Sequence, residues 1–252
     1  MILFIAPHLD DVALSCGGLV WQLTQRGIPV TIATVCTADP PVDELSEAAL
    51  REHKHWGLGD QPYRVRRIED QQACARLGAQ PVHLGLLDAI YRRAPNGAPL
   101  YSDTVIGVSV HPEDWQTQLS AIGAALVPLL HRHASVYCPL AIGGHVDHIL
   151  TRAAVESALP QEARLIYYED FPYVVHLPAL DESTLVEGLL PFTVWLDERA
   201  TQARLEAIAC YSSQLAAVFG DPSSAEAQVR RYLSQIGGER YWQPIDAFRQ
   251  ED

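Results

Sequence analysis

The stretch Ile2-Leu3-Phe4-Ile5-Ala6-Pro7-His8-Leu9-Asp10-Asp11, running on to Ser15-Cys16-Gly17-Gly18, decides how the chain is read. Ile2 to Ala6 is a short apolar run, the pattern of a buried strand. It ends at once in a histidine and two carboxylates. A helix-like segment follows, with Leu14, Leu19 and Leu23 on its apolar side. In open α/β sheets, sites sit where strands end and helices begin, so His8, Asp10 and Asp11 are the first candidates for chemistry. Two readings stand side by side. His8 and Asp11 converge on a divalent first-row metal such as Zn²⁺, leaving Asp10 as a spare carboxylate to move a proton. Alternatively, the acids cap the helix N-terminus and complement its dipole.

Outward from that corner, buried-strand patterns recur at Val30–Cys36, Pro81–Leu84, Ser135–Pro139, Arg164–Tyr168 and Pro191–Leu196. Helical patterns fill the intervals: Val12–Arg26, Asp43–Leu58, Arg67–Leu77, Glu113–Leu130, Ile149–Ala158 and Asp197–Tyr211. The alternation predicts an α/β fold with a mostly parallel sheet, as one domain over residues 1–252. Pro128 should bend or end its helix. Gly17 and Gly18 lower helix propensity, which close packing against the sheet would explain. Arg92–Pro112, with turn residues from Ala94 to Pro99, is long for a connection and is expected to be a binding loop. From Asp221 onward the pattern is partly helical and otherwise unassigned.

Composition narrows the function. The 252 residues carry a formal charge of −13. That excludes the clustered basic surface of a nucleic-acid binder and weighs against docking on anionic lipid. Cys16, Cys36, Cys74, Cys138 and Cys210 include no C-x-x-C pair, so neither a disulfide framework nor a thiolate zinc site is expected. No apolar run approaches the roughly 18–20 residues of a membrane span, and the start lacks a signal-peptide pattern. A cytoplasmic location is expected. A homo-oligomer is compatible with the sequence.

A second cluster, Gly143-Gly144-His145-Val146-Asp147-His148, also follows a predicted strand and opens a helix. One of its histidines can complete a metal site and the other can face substrate, since side chains three apart share a helix face. Two such clusters at strand carboxyl ends lie along one edge of a parallel sheet. His53, His55, His131 and His133 fall on predicted helices and read as solvated or packing residues. His111, in the long loop, is given the same reading. No G-x-S-x-G, G-x-G-x-x-G or P-loop is present. Cys16 reads as a helix-buried thiol.

Together the clusters resemble the signatures of the PIG-L/LmbE-like N-deacetylases. Ala6-Pro7-His8-Leu9-Asp10-Asp11 resembles their A-H-P-D-D motif, and His145-Val146-Asp147-His148 resembles H-x-D-H. Arg66–Glu69, Gly85–Asp88, Tyr167–Glu169 and Tyr211-Ser212-Ser213-Gln214 resemble further family blocks. Leu9 replaces the usual proline, and Val12 an acid. The resemblance implies a Rossmann-like three-layer fold and a zinc-dependent hydrolase that removes N-acetyl from N-acetylglucosamine-type sugars or glycoconjugates. His8, Asp11 and His148 would hold the metal. Asp10 would be the general base. His145, protonated, would stabilise the tetrahedral intermediate, with Asp147 orienting it. Arg66 and Asp88 would contact the sugar. Two alternatives remain: a metal-dependent amidohydrolase of a non-sugar acyl amide, and a non-catalytic metal- or sugar-binding protein on the same scaffold.

Overall fold

In a computed structural model, residues 1–41, 45–59, 61–176 and 182–245 are described. The elements in chain order begin with β1 (Ile2–Ala6), α1 (Asp11–Gln25), β2 (Val30–Cys36), α2 (Glu47–Trp56), α3 (Pro62–Leu77) and β3 (Gln80–Leu86). After the long loop come α4 (Pro112–Leu130), β4 (Ser135–Pro139), α5 (Val146–Ala158) and β5 (Arg164–Tyr168). Two short helices follow, α6 (Tyr173–His176) and α7 (Glu182–Leu185), then β6 (Leu189–Val194), α8 (Glu198–Ala209), α9 (Leu215–Phe219), α10 (Ala225–Ile236) and β7 (Glu239–Pro244). Among the described residues the strands form one sheet in the order β3-β2-β1-β4-β5-β7-β6. Its first five strands are parallel, and β7 is antiparallel to both of its neighbours.

Period-two alternation in β1 builds the layers. Phe4 and Ala6 face one core with Val12, Leu19, Ala73 and Leu77, which come from α1 and α3. Leu3 and Ile5 face the opposite core with Ile122, Leu126, Leu150 and Ala154 from α4 and α5. Helices therefore cover both faces of the sheet, the three-layer arrangement expected. β1 pairs with β2 on one side and β4 on the other. The chain first steps outward to β3 and then returns across β1 to β4, so the strand order reverses between β1 and β4. In open sheets that reversal leaves a crevice at the strand carboxyl ends.

Several expectations are revised. α3 starts at Pro62, five residues before the predicted Arg67, because proline fits the first turn, where its missing N–H is not needed. α2 is capped by the Ser46 hydroxyl and stopped by Gly57 at φ 65; Asp43 of the predicted helix lies outside the described residues. α4 continues to Leu130, so Pro128 falls in its last turn and does not cut it short. The two α1 glycines pack against α8 and β7. A Cβ on Gly17 would stand 3.0 Å from the Arg204 side chain; one on Gly18 would stand 2.3 Å from Leu196 and 2.9 Å from Glu239. β7 is a strand that the sequence reading left unassigned.

Candidate active site

The β1 and β4 ends bring the two clusters together. His8 follows β1 by two residues. His145 is delivered by a Gly143–Gly144 turn whose φ values of 90 and 64 suit glycine. The rings of His8, His145 and His148 lie 4.7 to 5.4 Å apart, centroid to centroid. All three are buried, as are Asp10, Asp11 and Asp147.

Asp10 and Asp11 occupy different settings. Asp11 Oδ2 accepts the His8 backbone N–H at 2.7 Å. The same oxygen stands 3.5 Å from His8 Nδ1 and 3.5 Å from His148 Nε2. Burial works against its charge, but His148 and His8 outweigh that and hold it down at about 2. Asp10 is the N-cap residue of α1 by position, yet its side chain makes no cap hydrogen bond. The helix-cap reading therefore fails for Asp10. Its backbone sits at φ 144, a region L residues avoid. Its nearest ionic partner is Arg66, Nη2 to Oδ2 at 3.8 Å. Burial pushes the Asp10 carboxyl up to about 7, against the pull of Arg66.

Each histidine has one nitrogen engaged. His148 Nδ1 bonds Asp170 Oδ1 at 2.6 Å, and its Nε2 is buried with no hydrogen-bond partner among the described residues. His8 Nε2 bonds Asp147 Oδ2 at 3.1 Å, which turns Nδ1 toward Asp11. His145 Nδ1 accepts the Asp147 backbone N–H at 3.1 Å, so in the neutral ring the proton is on Nε2. Burial, with His8 beside it, holds His145 well below its ordinary range. The ring is accordingly a neutral donor here, whereas the sequence reading had it protonated.

Asp147 hydrogen-bonds His145 through its backbone N–H. Its carboxylate takes Arg92 Nη2 at 2.5 Å, the Ala89 N–H at 3.0 Å and His8 Nε2. Burial opposes this charge, but Arg92 and His8 keep it well below the usual carboxylate range. The sequence reading gave Asp147 the task of orienting His145; the carboxylate in fact braces His8. Asp88 accepts Tyr63 Oη at 2.6 Å and the Ile90 N–H at 3.1 Å, with His8 Nε2 at 3.5 Å. Arg66 lies against the rings of Trp56 and Tyr63, at 4.8 and 5.1 Å.

These residues fit a divalent metal. His148 Nε2 is an orphaned buried nitrogen, and an unpartnered polar atom in that setting calls for an explanation. An imidazole whose other nitrogen is held by a carboxylate is the usual form of a metal-binding histidine. Among the described residues two sets of ligand atoms lie mutually within 4.8 Å: His8, His145 and His148, and His8, Cys36 and Asp147. The first contains two of the three expected ligands. In the second, His8 and Asp147 already satisfy one another. His8, Asp10, Asp11 and His145 line a cleft of about 660 Å³. Its rim includes Arg51 on α2 and Asp103–Ile106 of the long loop, and Arg51 Nη2 bonds Asp103 O at 2.6 Å. The loop is tied to the second cluster by the Val146 N–H on Val105 O at 2.9 Å.

The sequence reading did not single out Asp170 or Arg92. Asp170 stands just past β5, on the edge that already held two clusters, and that position was its signal. Arg92 had none, since its partners are remote in sequence. His111 caps α4 through Nδ1, and His133 bonds Leu129 O and Thr31, both structural roles. Cys16, Cys36, Cys74 and Cys138 are buried free thiols.

A doubly wound α/β sheet with histidines and carboxylates converging at its reversal point, and one carboxylate held apart from them, has the makings of a metal-dependent hydrolase. Residues 3–159 match the family model described as PIG-L, GlcNAc-PI de-N-acetylase. The 2'-N-acetylparomamine deacetylase of Streptomyces fradiae is 32% identical over 219 residues, which is 84% of this chain and 72% of that protein. A protein of the same name from Niallia circulans is 28% identical over 256 residues, 95% and 89%. The zinc inhibited form of teicoplanin deacetylase superposes with a TM-score of 0.82 at 27% identity, covering 96% of each chain. The chain belongs to the PIG-L family, and it is a deacetylase, a hydrolase of amide C–N bonds. Among the described residues no helix is long and apolar enough to cross a membrane.

Proposed function

We propose that this deacetylase removes the N-acetyl group from an N-acetylglucosamine-type unit of an aminoglycoside or glycopeptide conjugate, with zinc held by His8, Asp11 and His148. The observation that carries the reading is the contrast between the two aspartates. Asp11 is locked between two imidazoles, while Asp10 faces the cleft and, among the described residues, has no hydrogen-bond donor. A binding protein has no use for a buried, strained carboxylate kept free of donors. The names of the relatives, 2'-N-acetylparomamine deacetylase and teicoplanin deacetylase, support a sugar amide of an antibiotic-type conjugate.

When bound, zinc supplies a Lewis acid for an amide carbonyl and lowers the pKa of a water from about 16 towards roughly 7. Asp10 takes the proton of the attacking water, which needs a base with a pKa near the working pH. His145 presents Nε2–H to the carbonyl oxygen as that oxygen gains charge. Asp10 then returns its proton to the nitrogen, the C–N bond breaks, and acetate and the free amine leave. Asp147 and Asp170 hold His8 and His148 in the tautomers that leave Nδ1 and Nε2 bare. Arg66 and Asp88 line the cleft where the sugar would lie, and residues 103–106 supply substrate choice at the rim.

Acetate release tests this. The protein, stripped of metal and reloaded with one equivalent of zinc, is offered 2'-N-acetylparomamine, N-acetylglucosamine and an N-acetyl amide without a sugar. Turnover of the sugars alone, lost on stripping and regained on reloading, is the expected result. Zinc is also varied above one equivalent, because a structural neighbour has a zinc inhibited form. Faster release from the non-sugar amide would favour the general amidohydrolase instead.

A further inference from the structure

Two sequence blocks, Arg66–Glu69 and Tyr211–Gln214, meet in the folded chain, and Glu69 and Gln214 have no place in the chemistry above. Glu69, buried on α3, accepts three hydrogen bonds from the turn between α8 and α9. Ser212 Oγ and the Ser213 N–H reach Oε1, each at 2.9 Å, and Ser213 Oγ reaches Oε2 at 2.6 Å. The next residue, Asp70, accepts Tyr211 Oη at 2.9 Å. One helical turn back, Arg66 stands beside Asp10. A single stretch of α3 thus anchors both the floor of the cleft and the turn that carries Gln214.

Gln214 is buried, yet it lines the cleft together with Asp10, Arg66 and Leu14. Donor counting decides which way round its amide lies. The Ser213 hydroxyl has one proton and gives it to Glu69, a carboxylate that cannot donate back. Toward Gln214 the same oxygen can only accept, so the atom facing it at 2.8 Å must be Nε2. Oε1 points the other way. Among the described residues no group donates to it, and it is not enclosed in protein.

We propose that Gln214 is a substrate-binding residue, its Oε1 accepting a hydrogen bond from a hydroxyl of the sugar that bears the N-acetyl group, and that Glu69 is the positioning residue that fixes the amide. The proposal rests on the sugar-amide reading above. Asp10 and the metal ligands act on the amide itself, whereas Gln214 serves the ring next to it. Its effect therefore belongs in binding and not in the chemical step.

The test uses Gln214→Met, which keeps length and approximate volume while removing both polar atoms. Steady-state acetate release is measured on 2'-N-acetylparomamine and on its monodeoxy analogues, with the melting temperature as a control for folding. Expected is a rise in KM of about 10-fold with kcat within about twofold, the size of one lost hydrogen bond. On one deoxy analogue the wild type shows the same rise, and Gln214→Met adds nothing. Glu69→Gln frees the Ser213 proton, lets the Gln214 amide turn, and raises KM in the same direction on the intact sugar. A wild-type KM for Gln214→Met on every sugar overturns the proposal and leaves the deacetylase reading standing. A folded Gln214→Met variant equally impaired on all analogues assigns a structural role and overturns it too. If the wild type neither binds nor deacetylates any sugar of the panel, the sugar reading falls and takes this proposal with it.

Discussion

Glu239 in β7, set against α1, and Asp10 at the start of α1 are both buried carboxylates, and they differ in how many donors they have. Glu239 accepts the Gly18 and Leu19 N–H groups at 2.9 Å each, Arg204 Nη1 at 3.1 Å and Tyr241 Oη at 2.8 Å. Arg204 also bonds Leu14 O, so the pair knits α8 and β7 to the side of α1. Gly17 and Gly18 are what let those side chains come so close. Among the described residues nothing donates a hydrogen bond to the Asp10 carboxylate, its ion pair with Arg66 is a long 3.8 Å, and it sits on a strained backbone. Desolvation of a carboxylate without hydrogen bonds costs several kcal/mol. The saturated acid holds the fold together. The unsaturated one is the base of the proposed reaction, and the stability it forgoes is supplied elsewhere in the molecule.

That contrast can be broken from either side. On the functional side, His145→Ala should retain metal and lower kcat by roughly 10²–10⁴-fold. Metal content measured beside acetate release checks it, and a normal kcat would remove His145 from the chemistry. On the structural side, Glu239→Ala leaves Arg204 buried and uncompensated. Stability should fall by about 3–5 kcal/mol in urea unfolding, with kcat per folded molecule close to wild type. A smaller effect is expected where the two kinds of acid meet. Asp170 holds His148 and is itself partly satisfied by the Ile142 N–H at 2.9 Å. Asp170→Asn should weaken zinc affinity by about 10–100-fold, read by competition with a chromophoric chelator, and unchanged affinity would detach Asp170 from the metal site.

The parallel half of the fold was legible because its strands are short apolar runs and its helices carry clear apolar faces. β7 was not, because Glu239-Arg240-Tyr241-Trp242 is stabilised by partners more than 30 residues away, with Glu239 turned inward onto α1 and α8. The candidate site was legible as letters. His8, Asp10, Asp11, His145 and His148 stand in two compact motifs at strand ends. What the letters withheld was which atom of each residue is engaged. The cap reading of Asp10 turned on a bond that its carboxylate does not make, and the task given to the Asp147 carboxylate on hydrogen bonds to residues distant in sequence. Asp147 pairs with Arg92 across 55 positions and with His8 across 139. A protonated His145 is what the family resemblance implies, whereas its burial, the dominant influence, is not visible in the sequence.

The central claim is that Asp10 and Asp11, adjacent in sequence, divide the labour: one moves the proton and the other holds the metal. Asp10→Asn keeps the shape of the side chain and removes its basicity. Zinc stoichiometry and acetate release measured on one preparation of that variant test the division directly. The account predicts one equivalent of zinc retained and turnover reduced by at least about 10²-fold. An Asp10→Asn protein that releases acetate at the wild-type rate, or that loses its metal as readily as an Asp11 variant, would contradict it.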